Sequence, residues 1–589
     1  MLRALIPTPK KLTVGKGTTN VKNYRIVLSA SCDYRIFKAA QTLAAELSLE
    51  TRTEITVTKV LGEPALDGCI NLIAGEGEGE GYTLSANGSS ITLRGDSLAG
   101  AFYAIQTMRQ LAKDTKGVIP NVEIEDAPDM ESRGFYQDIS RGRVPTVEST
   151  KKMIDMLSYY KENAFQLYIE HTFLFDEYIG IARPDNALSA AEIMELDQYC
   201  YDHFIDFVPS LSTFGHLYRL LDSPKWREYC ELETYEPCPN KWHDAMVHHT
   251  IDPSNPESIN IIGSMIDQYV ALFRSKYFNI CCDETFDLGK GRNAGKDSGA
   301  LYLEFTRKII DHVTSRGKTV MMWGDIILHH PEIMNSFPKD VVMLNWCYDA
   351  NPFLENTAKF REAGYRQLLC PGTSCWNQMS EVVNYAEQNI IKMIRSGHEN
   401  GAMGSLNTAW GDYGHTAALN TTLFGIVLGA ALSWNKDENV PSKEFDDRVS
   451  YLVYGDSTGK AVTYLRELGD CCQTFNWAVL CVQYFGGTTW MQCSTNPKDM
   501  VACANKALKL ADKFRSLPVQ NEIIEDLTIA CEGQYLMCLF SARYHGLKKY
   551  APEGFTEDWC KRYAASWRRD NKESELNRVL EVFLGINKK

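Results

Sequence analysis

From about residue 133 to residue 434, short apolar runs alternate eight times with amphipathic stretches of helical length. The runs span 134–139, 164–169, 206–211, 278–282, 319–323, 341–346, 366–370 and 402–406. Segments such as 147–161, 190–204, 256–274, 301–315 and 382–396 lie between them, and 417–434 closes the series. Buried parallel strands read as continuous apolar runs, and each needs a crossover, usually a helix, to reach the next. Eight such units over about 300 residues predict an α/β fold built on a (β/α)8 TIM barrel. An open doubly wound sheet would place a glycine turn for phosphate after its first strand. Here that strand runs into Asp138-Ile-Ser-Arg-Gly-Arg, which has no such turn.

The chain has 589 residues, so more than one domain is expected. Residues 1–127 read as a small α/β domain, with strands at 24–28 and 54–60 around a helix at 35–47. A hairpin follows, turning at Asn87-Gly88, and then a helix over 97–113. The run 75–81 alternates Gly and Glu; its acids would repel phosphate, so it reads as a flexible loop. Residues 128–436 hold the barrel, and 437–589 form a helical C-terminal region, for instance over 500–517 and 521–544.

Net charge is −14, with no long basic run, which argues against nucleic acid and anionic lipid as partners. No apolar stretch is long enough to span a bilayer, and the N-terminus lacks a signal-peptide core. The 18 cysteines show no paired zinc spacing and sit partly in apolar runs, as buried thiols of a reducing compartment would. A cytoplasmic protein is expected, without cofactor or metal.

In a barrel of this kind the C-terminal strand ends carry the chemistry. Arg133 precedes strand 1, and Asp138 closes it. Strand 2 ends at Glu170-His171, and strand 3 leads to His216. Strand 4 ends in Asp283-Glu284 and strand 5 in Trp323-Gly-Asp325. Strand 6 ends in Trp346-Cys-Tyr348, strand 7 leads to Trp376-Asn377, and strand 8 ends in Trp410-Gly-Asp412. Any one Trp is more often core than ligand wall, but four on consecutive strand ends suit a sugar site. Acids and amides would take hydroxyls, and indole faces the apolar ring surface. Two adjacent acids in an extended chain point in different directions. They do not form the facing pair, about 5 Å apart, of an ordinary retaining glycosidase.

The strand–Asp–Glu ending, the Arg before strand 1 and the Trp series resemble the family 20 glycoside hydrolases, the β-N-acetylhexosaminidases. The resemblance runs from the N-terminal domain through strand 8. It implies exo-acting removal of terminal non-reducing β-linked N-acetylhexosamine, GlcNAc or GalNAc, with the substrate's own acetamido oxygen as nucleophile. Glu284 is implied as general acid and then base, and Asp283 as the group that orients the acetamido N–H. Tyr348 would bond the acetamido oxygen, with Trp323, Trp346 and Trp410 as walls. Arg133 and Asp412 would bind hydroxyls, and Asp138 and His216 would support catalysis. Glu170, His171, Trp376 and Asn377 complete the expected substrate-binding set by their strand-end positions. The partner is a carbohydrate, and a homodimer is compatible with the sequence.

The chain departs from the family pattern at three places. Asn279-Ile-Cys-Cys-Asp-Glu stands where His-x-Gly-Gly-Asp-Glu is usual, Tyr168-Ile-Glu170-His171 replaces the usual motif after strand 2, and Trp410-Gly-Asp412 replaces Trp-x-Glu. Alternatives are a glycosidase for a different or modified sugar, and a sugar-binding homologue without catalysis, against which the retained acids argue. A metal hydrolase using His243, His248 and His249 would need a carboxylate motif that is not there.

Overall fold

The computed structural model describes residues 4–178, 180–234, 238–246, 249–489 and 491–588. His248 lies outside them. The first seven strands are β1 (Lys11–Asn20), β2 (Arg25–Leu28), β3 (Thr56–Lys59), β4 (Cys69–Ala74), β5 (Tyr82–Ala86), β6 (Ile91–Gly95) and β7 (Val118–Asp126). They form one mixed sheet in the order β1-β7-β5-β6-β4-β2-β3, covered by helices Tyr34–Thr51 and Leu98–Ala112. The hairpin at Asn87 is present: its side-chain oxygen accepts from the backbone N–H of Ser89 and Ser90. The expected strands at 24–28 and 54–60 are β2 and β3, while β1, β4 and β7 add three that the sequence reading lacks.

Eight parallel staves close the barrel: β8 (Ser132–Asp138), β9 (Ala164–Ile169), the interrupted pair β10 (Asp206–Phe207) and β11 (Ser210–Leu211), β12 (Tyr277–Asn279), β13 (Thr319–Trp323), β14 (Val342–Trp346), β15 (Gln367–Cys370) and β16 (Gly404–Ala409). The ring closes as β16 pairs with β8 and β8 with β9. β10 and β11 share one register on β9, Asp206 facing Ala164 and Ser210 facing Tyr168. They are one stave broken by Pro209, which has no N–H to donate.

The fourth stave stops earlier than expected. Cys281 and Cys282 have φ of 57° and 62°, so the chain leaves the extended conformation before it reaches the acids. These are positions where glycine would be unstrained, which accounts for the glycines usual there. The acid pair therefore does not continue a strand, as the sequence reading had it; Glu284 itself has φ of 50°.

Arg133 lies at the N-terminal end of β8, fully buried at the joint between the small domain and the barrel. Its guanidinium donates to Glu80 Oε2 at 2.7 Å, to the carbonyls of Lys161 and Met130 at 2.9 Å, and to the Tyr103 hydroxyl at 3.2 Å. Glu80 belongs to the Gly/Glu run, so that loop is pinned at this end. Alongside, Asp126 accepts from the Tyr82 hydroxyl at 2.7 Å and from Trp434 Nε1 at 3.0 Å. Lys161, also buried there, has its pKa lowered to about 8 by burial, with Asp126 opposing. The expectation that Arg133 binds substrate is thus corrected: it stands at the opposite end of the strand from the chemistry.

After Trp434 every element is helical: Lys443–Leu452, Ala461–Thr474, Trp477–Phe485, Pro497–Arg515, Glu522–Tyr544, Phe555–Asp570 and Leu576–Lys588. These helices brace the loops at the C-terminal end of the barrel. Trp477 donates from its backbone N–H to the Asn377 carbonyl at 2.9 Å and from Nε1 to the Tyr413 carbonyl at 2.7 Å. The Tyr563 hydroxyl donates to the Thr416 carbonyl at 3.0 Å. Among the described residues no helix is long and apolar enough to cross a membrane.

Removing one partner of a buried ion pair strands the other. Arg133→Ala should therefore lower stability by about 3–5 kcal/mol, measured as a denaturant midpoint, while the folded variant keeps the wild-type KM. Unchanged stability with weakened substrate binding would return Arg133 to the site.

Candidate active site

A cavity of about 390 Å³ opens at the C-terminal end of the barrel. That is the lower part of the ~300–1,000 Å³ range of small-molecule sites, room for about one sugar unit. Larger depressions exist, one of about 610 Å³ between the small domain and the C-terminal helices. Among the pockets found, only the smaller one gathers the acid pair and the Trp series.

One side of the cavity is aromatic. Trp323, Trp346, Tyr348, Trp376 and Trp410 line it, from four different staves and their following loops. Trp346 and Tyr348 stack with centroids 5.1 Å apart, and Trp376 meets Tyr348 at the same distance. The Tyr348 hydroxyl accepts from Trp410 Nε1 at 2.7 Å. Burial pushes its pKa well above the ordinary tyrosine value, so it stays a neutral hydroxyl.

The other side is charged. His216 Nε2 lies 3.3 Å from Asp283 Oδ2 and 3.4 Å from Glu284 Oε2, so the two acids meet at one ring nitrogen. Arg141 Nη2 approaches His216 Nδ1 at 3.2 Å. A guanidinium has only donors, so this contact needs the Nδ1 lone pair and puts the ring proton on Nε2, between the carboxylates. Burial works against an imidazolium, yet Asp283 and Glu284 outweigh it and raise the His216 pKa to about 10. A doubly protonated ring would break the Arg141 contact. In both states Nε2 carries a proton and faces the two carboxylates. Asp283 Oδ1 is buried and has no hydrogen-bond partner among the described residues. It is an acceptor at the cavity wall that lacks a donor.

The ligand atoms of His216, Asp283 and Glu284 lie within 4.8 Å of one another, close enough to hold a cation. A cation there would have to displace the proton that the Arg141 contact places on Nε2. His243 and His249 of the metal reading are elsewhere. His243 bonds the Tyr413 hydroxyl at 2.8 Å, and His249 is held neutral, its pKa lowered to about 4 mainly by burial.

Arg141 is the residue that the sequence reading missed. Besides His216, it pairs with Glu170 Oε1 at 2.9 Å through Nε and with Asp138 Oδ2 at 3.4 Å through Nη1, and it lines the cavity. Asp138 accepts from the backbone N–H of Ser140, Arg141 and Gly411, tying the first strand's loop to the eighth's. Asp138 and Glu170 thus hold Arg141 rather than face the cavity. His171 lines a neighbouring depression with Ser140 and Arg219; burial, with help from Arg219, lowers its pKa to about 3. Asn377 donates to Asp412 Oδ2 at 2.8 Å and so sets that acid, which does line the cavity. Asp412 has its pKa raised to about 7 by burial, against the pull of Arg141.

A second missed residue is Asp325, whose Oδ2 accepts the backbone N–H of Glu284 at 3.1 Å. Burial first, and then Asp283 and Glu284, raise its pKa to about 7. It fixes Glu284, one of four site residues on separate loops, with His216, Asn377 and Asp412, that have φ between 47° and 58°. Non-glycine residues hold such a conformation only where surroundings over-determine it, most often at functional sites.

An acid with a raised pKa in the folded state binds its proton better there than when unfolded. Its stabilisation is present at low pH and falls away as pH rises from its ordinary value through about 7. Asp325→Asn should therefore gain stability relative to wild type from about pH 4 to pH 7, with a constant difference above that. A difference in midpoint that stays flat across this interval would show that Asp325 is ionised throughout.

Residues 3–127 match the family described as "Glycosyl hydrolase family 20, domain 2", and residues 131–427 match "Glycosyl hydrolase family 20, catalytic domain". Hexosaminidase D of Homo sapiens is 23% identical over 333 residues, 51% of this chain and 66% of that protein. The solved chitobiase of Flavobacterium johnsoniae superposes with a TM-score of 0.62 at 18% identity, covering 96% of this chain and 98% of that one. An exo β-N-acetylglucosaminidase of Vibrio harveyi, solved with N-acetylglucosamine, gives 0.61 at 18%, covering 77% and 78%. At such identities the structural likeness speaks for the fold alone.

Proposed function

The chain belongs to glycoside hydrolase family 20, and from that premise we propose that it removes terminal β-linked N-acetylhexosamine by substrate-assisted, retaining hydrolysis. The observation that carries this reading is the unpartnered Asp283 Oδ1, a buried acceptor in an aromatic cavity beside a second acid. A buried carboxylate oxygen without a donor is costly, and a ligand N–H would satisfy it. The 2-acetamido group supplies that N–H, and its methyl suits the Trp walls.

In the first step the acetamido oxygen bonds to the anomeric carbon as the glycosidic C–O bond breaks. Glu284 gives its proton to the departing oxygen. Asp283 holds the N–H, on which positive charge develops, and Tyr348 donates its hydroxyl hydrogen to the acetamido oxygen and aligns it. In the second step water adds to the anomeric carbon, Glu284 takes its proton, and the five-membered ring reopens. The intramolecular nucleophile gains from effective molarity, and the indole walls keep water from the intermediate until the leaving group has gone. Arg141 and Asp412 take the hydroxyls of the non-reducing side, the place first expected for Arg133. The name of hexosaminidase D among the relatives supports this reading. We also propose a cytoplasmic setting, on the 18 free cysteines.

Wild type should release p-nitrophenol from the β-GlcNAc or β-GalNAc aryl glycoside, and the panel will show which configuration it prefers. A folded enzyme inactive on both would remove the proposal. Glu284→Gln should lose on the order of 10²–10⁴-fold in kcat on a substrate with a poor leaving group. Wild-type turnover in that variant would place the proton donor elsewhere.

A further inference from the structure

We infer that the cavity behind the first barrel strand is a second binding site, one that takes an uncharged aromatic molecule carrying an N–H or O–H donor. Its volume is about 610 Å³ against about 390 Å³ for the cavity with the acid pair, and among the described residues the two share no lining. It lies where the small domain, the barrel and the C-terminal helices meet, and small-molecule sites favour such junctions. The anchor is Gln137. Successive side chains of a strand point to opposite faces. Tyr136 points into the barrel, its ring 5.3 Å from those of Trp323 and Trp410, so Gln137 points outward into the layer between strands and helices. Phe135, on the same outward face, packs into apolar core. Gln137 lines the cavity, is 4% exposed, and its Oε1 has no hydrogen-bond partner among the described residues. A buried carboxamide oxygen left without a donor costs free energy, which a ligand N–H or O–H recovers.

The walls fix the rest of the ligand's chemistry. Helix Val147–Tyr159 contributes Met153, Met156 and Tyr159, helix Leu423–Trp434 contributes Leu423, and helix Glu522–Tyr544 contributes Ile523. Thioethers and aromatic rings make favourable contacts with a flat π-system. The charged residues of the lining are already satisfied within the protein. Arg109 Nε donates to Glu46 at 2.9 Å, Lys152 pairs with Glu522 at 3.2 Å, and Asp155 accepts from the Tyr199 hydroxyl at 2.8 Å. His415, also in the lining, is held neutral, its pKa lowered to about 4 mainly by burial. The cavity therefore calls for no charge on its ligand. It is also preformed. The backbone N–H of Thr146 donates to the Asp570 carbonyl at 2.9 Å at one end, and Lys113 Nζ to the Leu452 carbonyl at 3.2 Å at the other.

The test compares indole with 1-methylindole, which has a similar apolar surface but no N–H. With the methionine methyl groups of the full chain labelled with carbon-13, indole should shift the Met153 and Met156 signals saturably. Met246, in the acid-pair cavity, should stay in place. 1-Methylindole should bind about 3- to 10-fold more weakly, as one hydrogen bond between neutral groups implies. Gln137→Leu removes the acceptor and keeps most of the volume. It should fold at least as stably as wild type, because no orphaned oxygen remains, and bind the two probes equally. Shifts absent or confined to Met246 would overturn the site. So would equal affinity of the two probes for wild type, or a preference for indole that survives in Gln137→Leu. The comparison of probes on wild type stands even if that variant folds poorly. No outcome bears on hydrolysis at Glu284, so the site and the proposed activity fail separately.

Discussion

The site depends on the contact between Arg141 and His216. One guanidinium, buried with two carboxylates, presents its remaining face to Nδ1 and so keeps Nε2 turned towards the acid pair. The proton then lies at Nε2, where Asp283 and Glu284 converge. Without it, two acids side by side in a water-poor cavity would repel one another. With it, each keeps a separate task. Asp283 retains an oxygen without a partner among the described residues, open to a substrate N–H, and Glu284 stays at the open edge, where a leaving group would be.

This arrangement is bent into the backbone. The acids follow two residues in the left-handed region, and Cys281 and Cys282 occupy them although a side chain is strained there. The surroundings hold the segment: Tyr302 donates to the Cys282 carbonyl at 2.8 Å, Thr213 to the Ile280 carbonyl at 2.6 Å, and Asp325 accepts from Glu284. The helical C-terminal region extends this bracing to the seventh and eighth loops, where Asn377 and Asp412 are also left-handed.

The barrel was legible because burial on both faces writes apolar runs, and crossover helices write a different period between them. The acid pair and the Trp series were legible for the same reason: a polar or indole side chain just after an apolar run stands at a strand end. The arginine was misassigned on grounds that the sequence itself could have corrected. Arg133 stands at the start of its strand, while Arg141 follows it, and only the following end faces the site. The edge strand β1 was missed because an exposed strand carries no apolar signal; β1 is exposed along nearly all its length. Asp325 lay in view after Trp323, but its bond to the Glu284 backbone is a contact across 41 residues that no local pattern records. Positive φ at Cys281 was hidden too, since only glycine announces it.

The central claim is that Asp283 steers a nucleophile belonging to the substrate. Aryl β-N-acylglucosaminides with acetyl, fluoroacetyl, difluoroacetyl and trifluoroacetyl groups lower the basicity of the carbonyl oxygen stepwise while hardly changing its size. If that oxygen attacks the anomeric carbon, log kcat/KM should fall steeply and in proportion to the number of fluorines. A rate indifferent to fluorination would mean that the enzyme supplies the nucleophile, and would contradict the account.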